Sequence, residues 1–404
     1  MIDLKKRITP GLDRVFDFRT AGMVPPNRVI FGLGAVEHIG VEATKLYPKG
    51  KALIASDGNM KKLGILDQIM GLVSTGGSTV AVFTEIEAEP RVETAEALHA
   101  QCLKSEFSIL IGMGGGSVMD VTKLVAQSAS RKRSPRDYLE GKVKPEGRGL
   151  PLILVPTTAG TGSEVSPNLV IKLGDKKHAL SDPYYYPDIA IIDPLLTASM
   201  SPLITASTGI DAMSHAIEGM MHKNANPFSD SLALTAIEMV GRYLRKAVAN
   251  GEDLEARYYM SLASTIGMMG MAMAGGLYAH SACFVLGHYK PTSHGVGVAL
   301  GLPYIMSFNL PTVTPKLARM ATALGMPTWM YSELEAAKKA VQAVVDLMRD
   351  IGLPLTLEEY GIKEGDLEKM AEMMITLYPR PMNARPMSKQ DSLQHWRNMW
   401  KGTL

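Results

Sequence analysis

Cysteine is almost missing: Cys102 and Cys283 are the only two in 404 residues, and they stand far apart. That excludes a disulfide framework and suits a reducing cytoplasm, the expected location. An excess of either charge is missing too. Lys plus Arg number 42 against 40 for Asp plus Glu, so no global field exists to hold a polyanion, and small molecules rather than nucleic acid are the expected partners. No secretory signal is read at the start, because Lys5, Lys6 and Arg7 are followed by Ile8, Thr9 and Pro10 instead of an apolar run. Internal repeats and low-complexity segments are lacking. One long stretch, from Ser261 to Gly287, lacks any Asp, Glu, Lys or Arg. Its length would cross a bilayer, but Gly267, Gly270, Gly275, Gly276 and a histidine interrupt it. It is therefore expected to be a buried core helix, with no membrane as partner.

What is present is ordinary for a globular protein: 46% hydrophobic and 20% charged residues, in a chain long enough for two domains. The first half alternates short apolar runs with amphipathic stretches, as a βαβ arrangement on a parallel sheet does. Strands are expected at Lys51 to Ala55, Thr79 to Phe83, Ser108 to Gly112, Leu152 to Val155 and Ile189 to Asp193, with helices at Asn59 to Leu72 and Arg91 to Lys104. From Pro194 onward the texture becomes Ala- and Met-rich with helical spacing, including Ser229 to Ala249 and Leu254 to Ala279. The expected division is an α/β domain over residues 1–193 and an all-helical domain over 194–404, with chemistry in the cleft between them.

Two loops of the first half suit a nucleotide. The strand ending near Met113 runs into Gly114, Gly115, Gly116 and Ser117, which open a helix through Asp120 and Lys123. Such a turn presents unpaired backbone N–H groups and the positive end of a helix dipole, and glycines let a phosphate approach. A capping box formed by Ser117 and Asp120 explains the same residues without a ligand. The second loop runs from Pro156 through Thr157, Thr158, Gly160, Thr161 and Gly162 to Glu164, and its hydroxyls suit either a ribose and phosphate or the loop's own backbone.

In the helical half, Asp211 and His215 are four apart and share one helix face. His280 and His294 follow after a long gap. One carboxylate and three imidazoles form a plausible shell for zinc or ferrous iron if all four converge. On spacing alone, satisfied core histidines and a surface or capping pair are the more usual explanation, because all four must converge across a long gap.

Taken together and in order, the segments Gly114 to Lys123, Pro156 to Val165, Lys177 to Ala179, Pro187-Asp188, Asp193-Pro194, Gly209 to Glu218, His280 with Leu286-Gly287, His294-Gly295, Leu302-Pro303 and Asn383 to Pro386 resemble the iron-containing, or group III, alcohol dehydrogenases. The resemblance implies an α/β dinucleotide-binding domain with a parallel sheet followed by an all-α metal-binding domain, a dehydroquinate synthase-like architecture. It places the metal ligands on Asp211, His215, His280 and His294, with Fe2+ favoured and Zn2+ possible. It places the nicotinamide cofactor contacts on Asp57, Gly115, Gly116, Ser117, Thr157, Thr158, Thr161, Val165 and Lys177, beside the Gly114 and Asp120 of the glycine-rich turn. A carboxylate at Asp57, ending a strand, bonds ribose hydroxyls and repels a 2′-phosphate, which favours NAD over NADP.

Two departures stand out. Phe284 occupies a position, four residues after the third ligand, where the family often has a histidine thought to aid proton transfer; His288, one turn later, is the candidate substitute. Glu89 stands where an asparagine touching the cofactor is common. The expected reaction is hydride transfer between a small, aliphatic alcohol or aldehyde and nicotinamide, with the metal as Lewis acid. A transhydrogenase that retains its cofactor, a non-redox lyase of the same superfamily and a non-catalytic binding protein are the alternatives. A homo-oligomer is the expected assembly.

Overall fold

The computed structural model describes residues 26–48, 50–174 and 176–404, so the reading of residues 1–25 as free of a secretory signal lies outside the described residues. Among the described residues eight strands are formed: β1 (Arg28–Phe31), β2 (Lys51–Ser56), β3 (Thr79–Phe83), β4 (Ile109–Gly114), β5 (Leu152–Pro156), β6 (Asn168–Leu173), β7 (Lys176–Ser181) and β8 (Ile189–Ile192). Six of them make one sheet in the order β1-β8-β5-β4-β2-β3, every neighbouring pair parallel. The helices among them are α1 (Ile39–Leu46), α2 (Gly58–Lys62), α3 (Ile65–Thr75), α4 (Val92–Ser105), α5 (Gly116–Arg131) and α6 (Pro135–Leu139).

Strand side chains alternate between two cores. Leu53, Ala55, Leu110 and Leu154 pack with residues of α4 and α5 on one face. Ala52, Ile54, Ile111, Ile153 and Val155 pack with residues of α1 and α3 on the other. A sheet covered on both faces has strands that read as continuous apolar runs, and for that reason the five expected strands lie within two residues of the observed ones. Strand β1 and the antiparallel β6–β7 hairpin were not expected.

The chain steps outward from β2 to β3 and then returns to the other side of β2 for β4. This reversal opens a crevice at the carboxyl ends of β2 and β4, the place where open α/β sheets bind ligands. Register keeps those ends level: Ser56 pairs with Met113, and Gly114 with Pro156. Asp57, Gly115 and Thr157 therefore emerge side by side.

The second half is helical: α7 (Pro202–Met221), α8 (Pro227–Ala249), α9 (Leu254–Ala274), α10 (Tyr278–Leu286), α11 (His294–Ala323), α12 (Glu333–Asp350), α13 (Leu367–Thr376) and α14 (Lys389–Lys401). Its helices share one large core.

Two helix expectations are corrected. Asn59 to Leu72 is not one helix, because Gly64, at φ 72°, ends α2 and starts α3. Nor is Ser261 to Gly287 one buried helix: α9 and α10 meet at 104° across a break. Gly275 makes the break with φ 131° and ψ 167°, a conformation open essentially to glycine alone. The separate helix α11 is also long and apolar enough to cross a bilayer, but 72% of that stretch is buried inside the protein.

Candidate active site in the cleft between sheet and helices

A cavity of about 470 Å³ runs from the glycine-rich turn to the helices and is lined at one end by Gly116, Ser117 and Thr161, at the other by Asp211, His215, His280 and His294. The helical end is built first. Asp211 and His215 lie one turn apart on α7, His280 is the third residue of α10, and His294 is the first of α11. From Asp211 Oδ1 the imidazole Nε2 atoms lie 3.7 Å (His215), 4.0 Å (His280) and 3.5 Å (His294) away. Ligands around one ion at ~2.1 Å stand about 3.4 Å apart in a tetrahedron, so these spacings suit a shared ion. Ligand atoms of Asp211, His215 and His280 all lie within 4.8 Å of one another. His294 falls outside that set of three and keeps 34% of its side chain exposed, so it is the loosest of the four.

Electrostatics favour a cation at the centre. Burial pushes the Asp211 carboxyl up to about 7, and its Oδ1 is buried without a hydrogen-bond partner. Burial, and then the neighbouring His280, hold His215 and His294 well below the usual histidine range. Neutral imidazoles and an orphaned carboxylate oxygen are what a divalent ion requires.

Neighbouring side chains fix the ring orientations. The Glu218 carboxylate, one turn beyond His215 on α7, can only accept, so His280 Nδ1 donates to it at 2.6 Å and Nε2 is left unprotonated, facing Asp211 Oδ1. Glu218 also accepts from the Leu277 and Ala279 amides at 2.8 and 2.6 Å, capping the start of α10. Burial raises Glu218, yet His280 and the amides outweigh it and hold the carboxyl below its ordinary value. Cys283, a neutral thiol pushed up to about 12 by burial, donates to the His294 carbonyl at 3.4 Å and faces His294 Nδ1 at 3.3 Å.

At the sheet end, helix α5 starts from Gly115, without a side-chain cap. The capping box is therefore not formed. Ser117 Oγ instead accepts from the Glu89 amide at 3.2 Å. Asp120 is spent internally, accepting from Ser163 Oγ at 2.7 Å and Val170 N at 2.8 Å, while the fully buried Lys123 donates to Ser163 Oγ and to the Asn168 carbonyl. These bonds brace the Thr157 to Val165 loop and β6 against α5. Burial raises Asp120 and pulls Lys123 down to about 8.

Thr157 and Val165 are buried, and Thr158 faces Gly115. Asp57 directly follows β2 and caps α2 through the Asn59 and Met60 amides. Lys177 lines the cleft but pairs with Glu89 at 2.6 Å. Glu89, at φ 55°, also pairs with Lys172. Burial alone would raise Glu89, but the two lysines hold it below its ordinary value.

His288 does not line the cavity. Its Nε2 lies 2.9 Å from the Tyr378 hydroxyl, and the Tyr378 ring packs 5.3 Å from Phe284. Two aromatic rings, Tyr378 and then Phe284, therefore lie between His288 and His294. Sequence reasoning overlooked Glu218, Cys283 and Arg380. The single signal for Glu218 was its place three residues after His215, on the same helix face.

Residues 26–194 match the family described as iron-containing alcohol dehydrogenase, and residues 205–400 match the C-terminal part of the same family. A long-chain-alcohol dehydrogenase of Geobacillus thermodenitrificans is 38% identical over 84% of this chain and 87% of its own length. An NAD-dependent methanol dehydrogenase of Bacillus methanolicus is 33% identical over 93% of this chain and 98% of its own. Among solved structures, a 1,3-propanediol oxidoreductase superposes with a TM-score of 0.90 at 32% identity, covering 95% of this chain and all of that one.

Proposed function

This chain belongs to the iron-containing alcohol dehydrogenase family, and from that premise we propose that it transfers hydride between a small alcohol or aldehyde and NAD(H), with one divalent metal, Fe2+ before Zn2+, held by Asp211, His215, His280 and His294. The observation that carries the metal is the buried, unpartnered Asp211 Oδ1 facing three imidazole nitrogens. When bound, the ion supplies Lewis acidity that favours the alkoxide form of an alcohol near neutral pH, and the nicotinamide exchanges the hydride.

The chain's own residues have three tasks. Gly115, Gly116 and Ser117 offer the amide-lined start of α5 to a pyrophosphate. Asp57, at the strand end beside them, favours ribose hydroxyls and disfavours a 2′-phosphate, which supports NAD over NADP. Met268, Met271 and Phe284 line the cavity and exclude water around a short aliphatic chain. Lys177, 5.9 Å from the Phe284 ring centroid, stands between the two ends. With Phe284 in place, no histidine four residues after His280 is available to carry the alcohol proton.

The test is metal analysis of anaerobically purified protein together with NADH formation from a panel of short alcohols, for wild type and His280→Ala. About one ion per chain and NADH formation, both lost in the variant, are expected. Failure to hold metal under any reconstitution sinks the four-ligand site. Bound metal without free NADH redirects the reading to a transhydrogenase with retained cofactor.

A further inference from the structure

We propose that Arg380 anchors an acidic group of the substrate, so that the enzyme acts on a short-chain alcohol or aldehyde bearing a carboxylate or sulfonate. This rests on the cleft being the active site. Arg380 lines the same cavity as the four metal-site residues. Its Nε donates to Ser281 Oγ at 2.9 Å, and that hydroxyl donates in turn to the Tyr378 carbonyl at 2.8 Å. Ser281 directly follows His280, so the guanidinium is fixed one residue from a metal ligand.

The guanidinium has no carboxylate partner within 4.0 Å among the described residues, and its Nη1 and Nη2 donors find no acceptor there. Its nearest anion is already committed: Glu218 accepts from His280 Nδ1, Leu277 N and Ala279 N. Gly276 lies beside both groups: a Cβ there would stand 3.6 Å from Glu218 Oε2 and 3.9 Å from Arg380 Nη1, and would meet the Met271 methyl at 2.5 Å. The other cations of the cleft differ. Lys172 and Lys177 share the Glu89 carboxylate, one oxygen each. Arg380 is thus, among the described cations lining the cleft, the one without a carboxylate partner.

An arginine keeps its charge on burial, and a partly buried cation with unmade hydrogen bonds is costly. Its planar fork matches the two oxygens of a carboxylate or sulfonate. A substrate seated on Arg380 and reaching the metal residues is short, because the anchor and His280 are held through adjacent residues. Met268, Met271 and Phe284 would cover its methylenes.

The experiment compares charged and neutral aldehydes of similar size, succinic semialdehyde against butanal and sulfoacetaldehyde against propanal, with NADH and the metal-loaded full chain. A separate calorimetric titration with butanoate and propanesulfonate reads anion binding without turnover. Wild type is expected to favour a charged substrate in kcat/KM, and Arg380→Gln to lose roughly ten- to a hundredfold on that substrate while butanal changes less than about threefold. Arg380→Gln should weaken anion binding in parallel, and Arg380→Lys should retain part of both. The carboxylate and sulfonate pairs decide which acid fits better.

Equal losses on charged and neutral substrates would mean that Arg380 only pins the Tyr378 segment to α10, and would overturn the proposal. So would wild-type preference for the neutral aldehydes with no anion bound. If no aldehyde is reduced yet Arg380→Gln abolishes anion binding, the dehydrogenase reading fails and the anion site stands.

Discussion

Replacing Gly295 by alanine asks whether His294 has to stand where it does. Gly295 opens α11 directly after His294 and lies against α7, the helix that carries Asp211 and His215. A Cβ added there would sit 2.0 Å from the Ser207 carbonyl oxygen, 2.5 Å from its carbon and 3.1 Å from its Cα. These are backbone atoms within a helix, so no rotamer relieves the overlap. Ordinary contact begins near 3.4 Å, so one helix must shift by about 1.4 Å, the difference between 3.4 and 2.0. Metal bonds tolerate about 0.2 Å, and His294 would leave the shell while Asp211, His215 and His280 remain. Metal affinity should fall by at least the ten- to hundredfold typical of perturbing a single ligand's support. Overpacking should cost about 1–3 kcal/mol of stability, read as a lower melting temperature of the metal-free chain. A competitive titration against a chromophoric chelator measures the affinity directly. If the alanine variant binds metal within a factor of about two of wild type, the close packing of α11 on α7 does not position His294 and the reasoning fails.

Two further outcomes follow from other parts of the fold. Gly115→Ala places its Cβ 3.6 Å from Thr158, an ordinary contact, at a φ of −76° that alanine adopts freely. Stability should drop by only about 1 kcal/mol, as for alanine at other helix N-caps, while NADH affinity falls about tenfold or more because the methyl blocks phosphate approach. A fluorescence titration giving the wild-type Kd would detach this turn from cofactor binding. His395, 3% exposed, is pulled down to about 4 by burial. Between that value and 6.5 the unfolded chain binds a proton that the folded chain refuses. The contribution is therefore complete above 6.5 and is lost as pH falls through about 4, a loss on the order of 3 kcal/mol. Urea unfolding of His395→Leu across this window should show a flatter pH dependence; the same slope in both proteins would mean that His395 is not the group titrating.

The sheet was legible because buried parallel strands are nearly pure apolar runs. Strand β1 escaped notice because it is a short edge with Arg28 and Val29 exposed. The β7 strand, Lys-Lys-His-Ala-Leu-Ser, escaped because its polar composition does not announce a strand. Helix breaks were hidden for a related reason: Gly64 and Gly275 sit inside apolar periodic stretches, and periodicity does not reveal a backbone that turns to positive φ. At the site, motif order brought forward Asp211, His215, His280 and His294, and the fold gathers them around one carboxylate oxygen. Their supporting residues were not readable. Nothing in the spacing says that Glu218 reaches over sixty residues along the chain to His280, or that Arg380 arrives at α10 from a segment just before the last helix. The paired reading of Ser117 and Asp120 as a cap failed because each has a stronger partner, one the Glu89 amide and the other Ser163 with Val170.

The placement of the four metal-site residues on α7, α10 and α11 bears on how long the protein survives in a cell. An ion bound there, as proposed, would act as a cross-link: the chain between His215 and His280 contains all of α8 and α9, a long loop whose closure removes much freedom from the unfolded chain. Ligand linkage then ties folding to metal supply, adding about 2.7 kcal/mol when free metal stands a hundredfold above its Kd. Chains starved of the ion would open more often and meet proteases more often. Cellular abundance, and not turnover number alone, would track the metal.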